Sequence, residues 1–84
     1  MSVHGPQARF RPVRGTARGI LLALRRGRPF AGSVELLAQR VGVAPNAIWR
    51  ALVLLAERRM VVALGLGDGC VSVKVTRLGR EVRL

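Results

Sequence analysis

The sequence predicts a small, mainly α-helical domain with one β-hairpin: a three-helix bundle, a two-stranded ribbon and a short C-terminal helix. Three observations lead there. The chain has 84 residues, enough for one core and too few for two. Half of its residues are hydrophobic and 23% are charged, a balance that packs rather than stays unfolded. Its apolar spacing is helical as far as Arg59 and then changes to strand-like runs around a glycine-rich turn.

The elements follow in order. Met1–Gly15 holds Gly5, Pro6, Pro12 and Gly15 with Arg9, Arg11 and Arg14, and few large apolar groups. Such a stretch buries too little to offset its ordering, so a flexible basic N-terminal arm is expected over residues 1–15 and a folded domain over 16–84. Thr16 is expected to cap a first helix, Ala17–Arg26, in which Ala17, Ile20, Leu21 and Leu24 line one face. Arg25 and Arg26 suit the negative end of its dipole, and Gly27 is expected as the left-handed stop. Pro29 and Gly32 mark a loop. Ser33 suits the N-cap of a second helix, Val34–Arg40, with Val34, Leu37, Ala38 and Val41 as its buried stripe and Gly42 as its breaker.

Pro45 fits the first position of a third helix, where its missing N–H would be unpaired in any case. That helix is expected to run to Arg58 or Arg59, with Ile48, Ala51, Leu52 and Leu55 inside and Asn46, Trp49, Arg50, Val53 and Glu57 on the other side. The aliphatic run Val61–Leu66, the turn Gly67-Asp68-Gly69 and the alternating Cys70–Thr76 predict the hairpin, with Val71, Val73 and Val75 on one face. Thr76 is a candidate cap for the last helix, near Gly79. The chain shows no internal repeat.

Composition narrows function. Fifteen Lys+Arg against four Asp+Glu give a net charge of +11, and every basic residue except Lys74 is an arginine. A field of that sign favours polyanionic partners, and the guanidinium fork grips phosphates and guanine edges. A GC-rich or heat-loving genome would explain the preference for arginine, but not the scarcity of acids. Cys70 and His4 are each the single residue of their kind, so one chain builds neither a disulfide framework nor a Cys/His zinc site. Glu35, Glu57, Asp68 and Glu81 are scattered, and no glycine-rich phosphate loop is present. No enzymatic activity, metal, cofactor or small-molecule ligand is therefore expected. The apolar run Ala51–Ala56 falls well short of the ~18 residues of a spanning helix. Ile20–Leu24 is too short for a signal-peptide core, and a transit peptide would carry more serine than Ser2 alone before Ser33. No membrane association is expected, and the cytoplasm, on the nucleoid, is the expected location.

The stretch Ser33–Val61, SVELLAQRVGVAPNAIWRALVLLAERRMV, resembles the helix-turn-helix core of winged-helix DNA-binding proteins of the MarR-like and ArsR-like transcriptional regulators. The matching residues are Leu37-Ala38, the turn Val41-Gly42-Val43, and then Ile48, Leu52 and Leu55. The following hairpin and Val75-Thr76-Arg77-Leu78-Gly79-Arg80 are similar to the wing and the Leu-Thr-x-x-Gly segment of such regulators, so the likeness covers residues 17–84. The chain departs from the pattern at Ala44, where a capping Ser or Thr is usual, and at Arg59, where glycine often ends the helix. It departs again at its wing tip, which carries Asp68 and no basic residue.

The resemblance implies a winged helix whose third helix enters the major groove of double-stranded DNA. Asn46, Trp49 and Arg50 are then the base-reading candidates, since Asn pairs with adenine and Arg with guanine O6/N7. Arg25, Arg26, Arg28, Arg40, Lys74 and Arg77, with Arg9, Arg11 and Arg14 of the arm, are the phosphate-contact candidates. Trp49 has an alternative use in a dimer seam, and a homodimer would help so small a domain. The leading reading is a small basic transcriptional regulator. A winged-helix protein-interaction module of a larger nucleic-acid machine and a ribosome- or RNA-associated basic domain stay open beside it.

Overall fold

A computed structural model describes residues 13–84. Among the described residues the chain forms four helices and a three-stranded antiparallel sheet: α1 (Gly15–Leu24), β1 (Phe30–Ser33), α2 (Val34–Val41), α3 (Pro45–Glu57), β2 (Val61–Gly67), β3 (Cys70–Val75) and α4 (Arg77–Glu81). Residues 1–12 of the expected arm lie outside the described residues. Val13 does not fit that arm: it is 5% exposed and packs in the core, and Gly15 already belongs to α1. Val13 and Gly15 thus belong with the folded domain rather than with the expected arm, since a buried valine and a helical backbone join them to it.

Helix α1 buries Ala17, Ile20, Leu21 and Leu24, the stripe its spacing predicts. Its ends differ from expectation. Arg14, without a side-chain cap bond, holds the N-cap position, and Thr16 lies inside the helix. The helix stops at Leu24, two residues early, and its C-cap Arg25 keeps right-handed geometry, so Gly27 is not a left-handed stop. The expected loop around Pro29 contains a strand. Its register, Phe30 opposite Val73 and Ser33 opposite Cys70, places β1 on the edge of β3 remote from β2. Four residues with one buried Phe are too few for an alternating pattern to stand out.

Ser33 caps α2 by accepting a hydrogen bond from the Leu36 N–H at 3.1 Å, and Gly42 closes the helix at φ 85°, a left-handed geometry that suits glycine. Pro45 opens α3, whose inner face is Ile48, Ala51, Leu52 and Leu55. The close of α3 is a Schellman arrangement: Met60 N–H donates to the Leu55 carbonyl at 2.9 Å and Arg59 N–H to that of Ala56 at 3.0 Å. Arg59 sits at φ 60° in the left-handed position glycine usually takes. The hairpin pairs Val61 with Val75 and Leu64 with Ser72, and a bulge falls between Gly65 and Gly67.

Val71, Val73 and Val75 project from β3 onto the helices and complete one core with Phe30, Leu37, Ile48 and Leu55. Thr76 caps α4, accepting from the Gly79 N–H at 3.2 Å.

Candidate nucleic-acid interface

Helix α3 is amphipathic, so burying the Ile48–Leu55 stripe turns Asn46, Trp49 and Arg50 outward. All three are exposed. Asn46 and Arg50 are four residues apart and therefore share one ridge of the helix. Small side chains at Ala17, Ala47 and Ala51 let α1 lie close to α3, and the seam between the two helices opens into a cleft of about 530 Å³. Arg14 at the N-cap of the first helix, Thr16 within it, and Asn46 and Arg50 of the third helix line it. The Arg14 and Arg50 guanidinium groups make no hydrogen bond or ion pair among the described residues. The cleft thus presents two uncommitted planar cations beside an amide that both donates and accepts, donors suited to phosphate oxygens and base edges.

Trp49 is not part of that lining. It stands 44% exposed on a neighbouring ridge, four residues before the 58%-exposed Val53. Thr16 is the polar member of the cleft that sequence reasoning missed. As a helix-start residue it reads as a cap, and only the crossing of α1 over α3 brings it to Asn46.

The phosphate candidates are spread over several elements, with Arg14 at the first cleft and Lys74 and Arg77 at another. Arg9 and Arg11 lie outside the described residues. Arg26 and Arg28 are exposed in the turn after α1. Arg40 is exposed, with its Cζ 5.4 Å from the centroid of the Phe30 ring, a cation–π contact that orients it without removing its charge from the surface. Lys74 and Arg77 border a second cleft, joined by Arg80, which sequence reasoning did not single out. Arg77 there spends part of its hydrogen-bonding on an exposed pair with Glu81, Nε to Oε2 at 3.3 Å.

Arg25 is a correction. Its Nη2 donates to the Gly79 carbonyl at 3.2 Å and also to that of Val82, and its Nε is buried without a partner. This guanidinium ties the end of α1 to the end of the chain and is not presented to a phosphate. Sequence offers no signal for it, because the contact spans more than fifty positions.

No helix among the described residues is long and apolar enough to cross a membrane, and no three His, Cys, Asp or Glu side chains gather there. Comparison with family models, curated proteins and solved structures finds no match to this chain.

Proposed function

We propose that this chain is a small winged-helix protein that binds duplex DNA as a transcriptional regulator, with the N-terminal half of α3 in the major groove. The observation that carries this reading is the cleft that Arg14, Asn46 and Arg50 line together, all exposed and without a side-chain hydrogen bond or ion pair among the described residues, on a chain of net charge +11. The element order supports it: two helices joined by a tight glycine turn precede a hairpin whose second strand lies between β1 and β2. In this reading Asn46 and Arg50 meet base edges, while Arg14, Arg26, Arg28 and Arg40 fix the register on the backbone. Lys74 and Arg77, on the hairpin and just beyond it, add phosphate contacts from the wing side. Action at the nucleoid, in the cytoplasm, belongs to the same proposal.

The test is a titration of random-sequence duplex DNA, hairpin RNA and single strands at two salt concentrations. Duplex DNA should bind best, with log K falling by about 0.9 per phosphate contact for each tenfold rise in salt. Tighter binding to hairpin RNA would favour the RNA-associated reading. Absence of binding to any of them at low salt would leave the protein-interaction module, which the exposed Trp49 and Val53 favour.

A further inference from the structure

The hairpin has an open side. In the order β1-β3-β2, the outer edge of β2 meets no strand among the described residues. Edge strands of natural sheets are usually guarded by lysine, proline or an inward charge, because their free N–H and C=O groups invite another strand. Here Met60–Gly67 contains no charged residue and no proline. The single irregularity, the bulge at Gly65/Gly67, leaves Val61–Gly65 in regular register. Val62, Leu64 and Leu66, at alternate positions, are 51%, 60% and 56% exposed.

The charges that bound this neutral strand are opposite in sign: Arg59 precedes it and Asp68 follows it. Both stand in left-handed geometry, at φ 60° and φ 53°, and neither side chain has a hydrogen bond or ion pair among the described residues. We infer that the outer edge of β2 is an interface for a second copy of this chain, paired antiparallel about Leu64.

In that register Leu64 faces its own symmetry mate, with Cβ atoms about 5 Å apart, and the regular stretch Val61–Gly65 of each copy lies along that of the other. The antiparallel direction turns the Asp68 end of each copy's strand toward the Arg59 end of the other's, twice by symmetry. Parallel pairing would set like charges together at both ends. Two chains of +11 repel one another over most of their surfaces. A neutral strand with one acid and one arginine at its ends lets them approach along a line that self-pairing makes complementary. An acid at the wing tip, otherwise out of place in so basic a chain, acquires a partner.

The inference stands apart from the proposed DNA binding and is tested without nucleic acid, so one fails without the other. Sedimentation velocity over a concentration series should show a monomer–dimer equilibrium. Leu64→Asp should weaken it by about 100-fold, two like charges being forced together on a neutral edge. Arg59→Asp and Asp68→Arg should each weaken it by about tenfold, and the double exchange should return it to within about threefold of the parent. Leu64→Cys in a Cys70→Ser background should form an interchain disulfide under mild oxidation, since facing Cα atoms in a ladder are about 4.5–5.5 Å apart. Leu22→Cys in that background should not. A monomer at every concentration, or a dimer indifferent to the charge exchange and giving no disulfide at position 64, would overturn the inference.

Discussion

The Thr76 hydroxyl donates a 2.6 Å hydrogen bond to the backbone carbonyl of Arg59, while its oxygen accepts from the N–H of Gly79 at 3.2 Å. One side chain thus joins the close of α3, the end of β3 and the start of α4. Thr76→Val keeps the shape and removes both bonds. It should lower stability by about 1–2 kcal/mol, measured by urea unfolding.

The other partner in that contact is strained. A non-glycine residue in left-handed geometry costs about 1–2 kcal/mol, part of which glycine would return as unfolded-state entropy. Arg59→Gly should therefore raise stability by about 0.5–1 kcal/mol and raise the melting temperature. Because it also deletes the guanidinium, the same variant should self-associate less than the parent.

Gly79 packs under the start of the hairpin. A Cβ at that position would stand 2.2 Å from the Met60 carbonyl oxygen and 2.8 Å from Cγ1 of Val75. The nearer neighbour is backbone, and that same carbonyl accepts the Thr76 N–H at 2.9 Å, so it cannot swing aside without breaking a ladder. Gly79→Ala should cost about 3 kcal/mol in urea unfolding.

Arg25→Met keeps an apolar stem and removes two charge-assisted hydrogen bonds to the end of the chain. The cost should be about 1.5 kcal/mol, at the low end for such bonds because the buried Nε has no partner to lose. Amide exchange should quicken in residues 79–84, and DNA affinity should change no more than for any loss of one distant charge. A loss of affinity as large as that of Arg26→Ala would return Arg25 to the phosphate contacts.

Period and punctuation made most of the fold legible in sequence. The stripes of α1 and α3, that of α2 except for the half-buried Val41, the caps at Ser33 and Thr76, the start at Pro45, the turn at Gly42 and the hairpin about Asp68 are local signals, and each is where the residues said. The contents of β1, Val13 and Arg25 were not legible, since a strand of four residues, one buried valine and one long-range guanidinium take their meaning from what they touch. At the candidate site, Asn46 and Arg50 were visible as the outward ridge of an amphipathic helix. Their sharing of one cleft with Arg14 and Thr16 was not, because it depends on how closely alanines let α1 and α3 approach.

The central proposal is that Arg50 reads a base rather than merely adding charge. Selection from a randomised duplex library, with affinities measured for parent and Arg50→Ala at one salt concentration, tests it directly. The exposed Arg50 should leave folding intact when removed. The parent should select a defined site, and Arg50→Ala should lose about 1–3 kcal/mol on it while relaxing preference at one base position. Equal weakening on every sequence would reduce Arg50 to a phosphate contact, and unchanged binding would contradict the placement of α3 in the groove.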